Sequence, residues 1–409
     1  MRICVVTSAA ANAEPRGPHH AAAAQEAFPD AEVIFLDLQP QGATTADPPV
    51  LTQAPGVRRL TARYPVRGAG GLAIAALAWR RFRVRLARAW FRLTGQITEA
   101  LFGAPVIGLT ARLKALQADL YYAHNIDTLL PAARAAMASG GSLAFDSMEY
   151  HADMGDSQAP EEARAVPILQ ARWLPRCVLV TAASEVLSDV LAREYGIAQP
   201  LALYNTPAVE ADLPAPPDQG LSLYWRNSVV GFGQRGLDDV LVAMTQLPAD
   251  VTLSVQGRPP FDGGAALARR VAELGLGDRV RVLPPYRPAE AVKLAAVHHV
   301  GLCLERRGPA NHTYTVSNKL FDYMMGGLAV VVANLPGLKV IVDRSQGGLL
   351  FEPGSPGDLA AQIRRLHADP NLRAQLAANA RAFALAEGNA GVDMQRFRTA
   401  LKAAFPPRA

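Results

Sequence analysis

Residues 317–333, SNKLFDYMMGGLAVVVA, decide the fold of this chain, because they combine a helix, a glycine break and a buried strand. Ser317 is predicted to cap the helix, since its hydroxyl can accept a hydrogen bond from a free amide of the first turn. Gly326 and Gly327 supply the left-handed residue with which many helices end. Leu328 to Ala333 is apolar throughout, as in a parallel strand covered on both faces. The stretch therefore predicts an α/β protein with a parallel sheet.

Asp322 is the single carboxylate of the predicted helix. Leu320, Phe321 and Met324 form the apolar stripe, so Asp322 is expected off that face, near the N-terminus of the helix. A carboxylate in this position can accept hydrogen bonds from two vicinal hydroxyls, as a ribose offers. Asp322 is therefore a candidate ribose ligand, and a merely solvated side chain is the alternative.

A glycine-rich motif lies in the middle of the chain. Residues 231–236, GFGQRG, match GxGxxG between a predicted strand and a predicted helix, the setting of a dinucleotide-binding turn. The next strand, VTLSVQG, ends in Gly257 and Arg258, where an NAD enzyme has an acid for the ribose. Arg258 suits the 2′-phosphate of NADP, so an NADP-dependent oxidoreductase is one alternative. The position of the motif, after a complete α/β domain, argues against it.

The glycines of this motif suit a nucleoside diphosphate sugar for the same physical reason. Gly231, Gly233 and Gly236 let backbone amides approach a diphosphate, and the helix N-terminus adds a favourable field. Arg235 supplies a planar, permanently charged fork for phosphate oxygens.

These motifs together resemble the retaining GT-B glycosyltransferases, and above all glycosyltransferase family 4. The resemblance rests on residues 317–333, on NLPG at 334–337 and on GGLLFEPGSPGDLAAQI at 347–363. It covers nearly the whole chain and is strongest from 222 to 385. It implies two Rossmann-like, doubly wound domains facing across a cleft, with the sugar nucleotide held mainly by the second domain.

The resemblance also implies site residues and a chemistry. Asp322 holds the ribose and Arg235 the diphosphate. The remaining nucleotide-site candidates are Gly231, Gly233, Gly236, Gly257, Arg258, Ser317, Asn318, Lys319 and Leu320. Transfer retains the anomeric configuration and requires no metal and no cofactor beyond the donor, because positive charge and helix amides stabilise the diphosphate leaving group.

The chain departs from the family pattern at one acid. The family places an acid ahead of the ribose-binding acid with seven residues between the two, and Tyr314 occupies that place here, while the second acid is Asp322 rather than glutamate. Glu305, at the end of the predicted strand HHVGLCLERR, or the loop after it is expected to contact the sugar instead. The missing acid leaves open a catalytically inactive GT-B partner subunit, and an epimerase or phosphorylase that acts without an acceptor.

Polar residues follow two predicted strands of the first half. His124 ends ADLYYAH, and Glu149 and His151 follow SLAFDS. Ligands of open α/β sheets bind beyond the carboxyl ends of the strands. Both segments resemble the family's AHN-x-DTLLPA and DSxE patterns, although Met148 stands where the family usually has histidine. His124, Glu149 and His151 are therefore catalytic candidates beside Glu305.

Positive charge is concentrated in residues 58–95. The chain carries a net charge of +5, yet from Arg58 to Arg92 it has no acid. The ten arginines of this segment are Arg58, Arg59, Arg63, Arg67, Arg80, Arg81, Arg83, Arg85, Arg88 and Arg92. Arginines opposite aromatic and aliphatic residues, as over residues 72–93, suit the surface of an anionic membrane. A helix packed on its own domain and a nucleic-acid contact are the alternatives, the latter without any recognised nucleic-acid module.

The remaining composition indicates a two-domain cytoplasmic protein. A chain of 409 residues exceeds one compact core. The proline-rich residues 206–220 form the predicted linker. The resemblance implies that residues 1–205 form the acceptor-side domain, that residues 221–385 form the nucleotide-sugar domain, and that residues 386–409 form a helix that crosses back to the first domain. Three dispersed cysteines, no signal peptide and no apolar run of about 18 residues favour a cytosolic protein, peripheral on the inner membrane face. The expected acceptor is a lipid-linked sugar or a growing polysaccharide.

Overall fold

The computed structural model describes residues 1–406 except residues 15, 44–45, 67–70, 156–157 and 234, and of residues 71–72 only the backbone. Arg67, Gln234 and the side chain of residue 72 therefore lie outside the described residues. The chain divides into two compact units: Met1–Asn205 with Met394–Ala409, and Thr206–Asp393.

The first unit is built on a seven-stranded sheet in the order β3-β2-β1-β4-β5-β6-β7. All its pairings are parallel. The strands are β1 (Arg2–Thr7), β2 (Glu32–Pro40), β3 (Val57–Tyr64), β4 (Leu120–His124), β5 (Ser142–Ser147), β6 (Cys177–Ala182) and β7 (Leu201–Ala202). The helices are α1 (Arg16–Ala27), α2 (Pro49–Thr52), α3 (Gly71–Thr94), α4 (Leu109–Leu116), α5 (Ile126–Ser139), α6 (Pro160–Trp173) and α7 (Glu185–Tyr195).

The second unit has a six-stranded sheet in the order β10-β9-β8-β11-β12-β13, again parallel. The strands are β8 (Leu221–Val229), β9 (Val251–Arg258), β10 (Val280–Leu283), β11 (Val300–Cys303), β12 (Ala329–Ala333) and β13 (Gly348–Phe351). The helices are α8 (Leu237–Met244), α9 (Ala265–Glu273), α10 (Ala291–Ala296), α11 (Ala310–Tyr314), α12 (Asn318–Met325), α13 (Pro336–Ser345), α14 (Pro356–Ala368) and α15 (Pro370–Ala386). The last helix, α16 (Ala390–Ala404), begins in this unit and ends in the first.

Both sheets therefore have the doubly wound arrangement that the sequence predicts. Chain order reverses between β1 and β4 in the first unit and between β8 and β11 in the second. At such a reversal the connections leave to opposite faces, which opens a crevice at the carboxyl ends of the two strands. The last helix belongs to the first unit from Met394 onward, and Phe397 and Leu401 lie in the core of that unit.

The structure confirms most of the prediction for residues 317–333. Gly327 has φ +76, so it is the left-handed residue that ends α12. β12 is buried along its whole length and pairs with β11 and β13. Ser317 occupies the capping position, but its side chain makes no capping hydrogen bond, so that detail is wrong.

The basic segment is not one amphipathic element. Residues Val57–Tyr64 form the edge strand β3, and only Gly71–Thr94 forms the helix α3. Arg59 of β3 donates to Asp37 of the neighbouring strand over 2.7 Å, so part of the basic charge is neutralised within the sheet. Among the described residues, no helix is both long enough and apolar enough to cross a bilayer.

Candidate functional site

The glycine-rich turn joins β8 to α8. Gly236 directly precedes α8 with φ +71, and a Cβ added there would lie 2.1 Å from the carbonyl oxygen of Leu304. Glycine is thus required for the close approach of the turn to the end of β11. Around Gly231 and Gly233, no described atom lies within 4 Å of an added Cβ. Packing requires Gly236, whereas the backbone at Gly231 and Gly233 is open to a ligand.

Three charged side chains meet beside this turn. Glu305 lies two residues beyond β11 and is buried. Lys319 of α12 donates to Glu305 Oε1 over 2.6 Å, and Arg235 Nη1 lies 3.5 Å from the same oxygen. Lys319 is also buried, whereas the Arg235 side chain is 41% exposed. Two cations, from elements far apart in sequence, therefore share one carboxylate, and the excess positive charge suits an anion.

The carboxylate of Glu305 is ionised, and only one of its two oxygens is engaged by the described residues. Burial by itself would raise its pKa, but Lys319 and Arg235 outweigh burial and lower the pKa to about 2. Glu305 is therefore ionised at neutral pH and cannot donate a proton. Its Oε2 atom is buried without a hydrogen-bond partner among the described residues, which suits an incoming hydroxyl.

Asp322 is paired and largely buried, in contrast to the merely solvated side chain that the sequence left as the alternative. All residues of α12 from Lys319 to Met325 are buried, because the helix packs against strands β11 and β12 and also against helices α10 and α15. Arg226 Nη2 donates to Asp322 Oδ2, and the two side chains are only 9% and 13% exposed. The carboxylate nevertheless lies one helical turn after Lys319, so Asp322, Lys319, Arg235 and Glu305 belong to one region of the second unit.

The other nucleotide-site candidates lie around this region with different exposure. A Cβ at Gly257 would lie 2.2 Å from the carbonyl oxygen of Asn227, so glycine there allows β9 to approach β8. Arg258 is exposed, and its side chain donates to the Ser228 carbonyl over 3.3 Å. Asn318 is exposed and Ser317 half-buried. Leu320 is fully buried in the core, so its side chain cannot contact a ligand.

In the first unit, His124 is part of a buried polar network. Asp146 accepts two hydrogen bonds from Arg16, at 2.6 and 3.0 Å. His124 Nδ1 lies 3.2 Å from Asp146, and His124 Nε2 lies 3.3 Å from His20 Nδ1. All of these side chains are at most 4% exposed. His124 is therefore held at the end of β4, but its ring is covered in this conformation.

His20, His124 and Asp146 also bring three potential metal ligands within 4.8 Å of one another. The Arg16 guanidinium already binds both oxygens of Asp146. A second cation on that carboxylate would meet this charge directly. The cluster therefore fits an ion pair better than a metal ion.

The two remaining catalytic candidates follow β5. His151 is buried, and burial lowers its pKa to about 4, so it is neutral at pH 7. Its Nε2 atom has no hydrogen-bond partner among the described residues. Glu149 is half-buried, and its backbone oxygen accepts a hydrogen bond from Ser147 over 3.0 Å. His151 is thus available as a neutral hydrogen-bonding group rather than as a cation.

The helix α3 has two unlike faces. One face packs on the rest of the first unit, where Ala87 and Phe91 share a buried apolar cluster with Leu101 and Ile107. The other is the α3 surface, which we define as an exposed apolar stripe and the arginines beside it. The stripe consists of Trp79, Phe82, Leu86, Trp90 and Leu93, from 48% to 83% exposed. Arg81, Arg83 and Arg85 beside it are exposed, whereas Arg88 pairs with Glu162 and Arg92 with Glu161.

Sequence reasoning missed Arg226, Tyr286 and His312. Arg226 stands inside LSLYWRNSV directly after the large side chains of Tyr224 and Trp225, in the part of the strand that is buried, and a buried charge is a signal that a partner covers it. His312 of α11 has a pKa lowered by burial and by Arg235, and its Nδ1 atom is buried without a described partner. Only the fold shows that it lies beside Arg235 and Glu305.

Comparison with known proteins supports the resemblance. Residues 228–369 match the family model described as Glycosyl transferases group 1. This segment contains the glycine-rich turn, Glu305, Lys319 and Asp322. The match to this family model does not favour the alternative of an NADP-dependent oxidoreductase. No curated protein matches the chain.

Solved structures show the fold. The chain is similar to the Anabaena protein HepE, in a complex with UDP-glucose, with TM-score 0.70, 18% identity and coverage of 98% of this chain and 100% of that one. It is also similar to sucrose-phosphate synthase from Thermosynechococcus elongatus, with TM-score 0.71, 16% identity and coverage of 99% of both chains. A third is WaaG, a glycosyltransferase involved in lipopolysaccharide biosynthesis, with TM-score 0.62, 13% identity and coverage of 99% and 100%. The predicted GT-B fold class, with two Rossmann-like domains, is confirmed.

Proposed function

We propose that this chain is a glycosyltransferase that takes a sugar from a nucleoside diphosphate sugar and retains its anomeric configuration, as in family 4. One observation carries the proposal. Arg235 of the glycine-rich turn and Lys319 of α12 converge on Glu305, one helical turn from Asp322. Two cations at a helix N-terminus, with a carboxylate one turn further, match a diphosphate followed by a ribose.

Each residue has a role in this reaction. Arg235, Lys319 and the amides of the turn would stabilise the charge that grows on the diphosphate as it leaves, without a metal. Asp322 would hold the ribose, and the unpaired oxygen of Glu305 would accept a hydrogen bond from a sugar hydroxyl. His151 and Glu149 are the acceptor-side candidates. His124 would contact the sugar only after a rearrangement that uncovers its ring, since it is fully buried.

A panel of ligands tests the donor class. UDP-, GDP- and ADP-sugars, together with NADP, are compared by thermal shift and then by product analysis. We expect one diphosphate sugar to stabilise the chain by about 2.7 kcal/mol at 100 times its Kd, and NADP not to do so. Stabilisation by NADP alone would contradict the proposal.

Product analysis separates the remaining candidates. Transfer to an added acceptor supports the glycosyltransferase, whereas conversion of the donor alone indicates an epimerase or phosphorylase. Binding without turnover indicates an inactive partner subunit. The last candidate is favoured by Tyr314, which occupies the place of the family's first acid.

We further propose that the acceptor is a lipid-linked sugar or a growing polysaccharide on the cytoplasmic face of a membrane, which the α3 surface contacts. Its exposed apolar stripe can enter the headgroup region, while Arg81, Arg83 and Arg85 meet anionic lipids. Arg80 is left out of this set, because it donates to the Ala104 carbonyl over 2.6 Å.

Replacing Arg81, Arg83 and Arg85 together by glutamine should release the protein from anionic vesicles. Each basic residue near such a surface contributes about 1 kcal/mol, so we expect roughly a hundredfold weaker binding. The measurement is co-sedimentation with vesicles of phosphatidylglycerol and phosphatidylcholine. The matched control replaces Arg269, Arg281 and Arg364, which are exposed in the second unit, and should bind as the wild type does. Equal loss in both triple variants would show a net-charge effect and refute a specific α3 surface.

A further inference from the structure

Arg226 is a buried charge in the middle of the nucleotide-binding half of the chain. It lies on β8, two residues beyond the pairing of Tyr224 with Gly301 of β11, and is 7% exposed. Its guanidinium faces α12, where Nη2 donates to Oδ2 of Asp322. A lone charge in this position would be costly, so the pair must form in the folded state.

The guanidinium of Arg226 is held from a second side as well. Nη1 donates to the Tyr286 hydroxyl over 2.5 Å, and the Arg226 Cζ atom lies 4.9 Å from the centre of the Tyr286 ring. The backbone N–H of Arg226 donates to the Tyr323 hydroxyl over 3.1 Å. The planar fork is therefore fixed in orientation, and so is the carboxylate that it binds.

In this arrangement the two oxygens of Asp322 have different surroundings. Oδ2 is occupied by Arg226, whereas Oδ1 has no hydrogen-bond partner among the described residues, and the side chain is 13% exposed. Oδ1 is not a buried orphan either, so solvent reaches it. Oδ2 therefore anchors the carboxylate, whereas Oδ1 is accessible to a ligand.

Stability alone does not call for such a pair. Replacing a buried ion pair by apolar side chains of similar volume is often neutral or stabilising. The neighbouring positions of β8, Tyr224 and Trp225, are fully buried and large, so this strand can fill its core without a charge. A pair that leaves one carboxylate oxygen accessible therefore points to ligand binding.

We propose that Arg226, supported by Tyr286, is a positioning residue that orients Asp322 so that Oδ1 accepts hydrogen bonds from the hydroxyls of the nucleotide ribose. The inference rests on the proposed function, since it needs a nucleoside diphosphate donor. It adds a residue on β8 that discriminates ribose from its deoxy form without touching the sugar. Arg226 acts only through Asp322.

The test compares UDP, GDP and ADP with their 2′,3′-dideoxy forms by calorimetry. For the nucleotide that binds wild type, the ribo form should bind about tenfold more tightly, as one hydrogen bond to a charged group allows. Arg226→Lys keeps the charge but loses the fork, so the ribo-to-dideoxy preference should fall to about onefold to threefold. Tyr286→Phe, which keeps the ion pair, should lower the preference about twofold. Arg270→Lys, in a surface pair with Asp238, should leave it unchanged.

Each outcome of this test either supports or overturns the proposed role of Arg226. A smaller preference in Arg226→Lys and Tyr286→Phe supports the proposal, and if Arg226→Lys does not fold, Tyr286→Phe carries the test. Equal weakening of both forms, with the preference kept, overturns it and leaves Arg226 a structural residue. A wild type that binds a nucleoside diphosphate but shows no ribose preference overturns it too, although the proposed function stands. A wild type that binds none of the three overturns the proposed function itself.

Discussion

Replacing Lys319 by alanine is expected to lower the free energy of unfolding by about 3–5 kcal/mol, the usual cost of removing one partner of a buried ion pair. Lys319 and Glu305 are 4% and 3% exposed and are joined by a 2.6 Å hydrogen bond. After the substitution, Arg235 is the cation that remains beside Glu305 among the described residues, at 3.5 Å and with its side chain 41% exposed. If Lys319 also holds the diphosphate, affinity for the nucleotide should fall about ten- to hundredfold.

Chemical denaturation and calorimetry measure the two effects of Lys319→Ala separately. Hydrogen exchange resolved by segment should show lost protection in β11 and α12, with the first unit unchanged. Lys339→Ala is the matched control, because Lys339 pairs with Asp343 on the surface of α13 and such pairs contribute at most about 1 kcal/mol. A stability and an affinity both equal to those of the wild type would refute the role of this ion pair.

The pH dependence of stability provides a second measurement on the same pair. In the folded chain the pKa of Glu305 is about 2, below its ordinary value of 4.5. A lowered folded pKa contributes stability above the ordinary value, and this contribution, about 3 kcal/mol, is lost as the pH falls toward the folded pKa. In Lys319→Ala the folded pKa of Glu305 should rise, so the loss of stability on acidification should be smaller than in the wild type.

The fold could be predicted from the sequence because its signals are local. The apolar run that became β12 and the glycine at 327 that ends α12 are both determined by neighbours in the chain. The edge strand β3 was missed for the same reason. Val57–Tyr64 carries three arginines, and the acid that neutralises Arg59 is Asp37, on another strand. A basic segment viewed alone resembles a solvated or membrane-facing surface.

The candidate site was predictable in its residues but not in its pairing. Arg235, Lys319 and Asp322 could be identified from their motifs, because turn glycines, basic side chains and helix carboxylates have recognisable spacing. Their partners could not. Arg226 and Asp322 are 96 residues apart, and Lys319 and Glu305 lie on different elements. The packing of α12 on β11 and the parallel pairing of β11 with β8 bring these charges together, and burial then makes each depend on the other.

Replacing Arg16 by methionine is the second change expected to have a large effect, about 3–5 kcal/mol of lost stability in the first unit. Arg16 donates to both oxygens of Asp146 and, over 2.7 Å, to the Leu203 carbonyl. Methionine fills similar space but removes the charge, which leaves a fully buried carboxylate with His124 at 3.2 Å and the Thr181 hydroxyl at 2.6 Å. Denaturation with segment-resolved hydrogen exchange should show lost protection in β4 and β5.

The double variant Arg16→Met with Asp146→Asn separates the buried charge from packing. If the uncompensated carboxylate causes the loss, removing it should restore part of the stability, so the two effects will not add. Additive losses would instead indicate that Arg16 acts through packing and its bond to the Leu203 carbonyl. Arg58→Met serves as the matched control, because Arg58 is 54% exposed in its pair with Glu32 and its loss should cost at most about 1 kcal/mol. Since the same carboxylate holds His124 at the end of β4, the Arg16 variant should also transfer sugar more slowly if His124 takes part in the reaction.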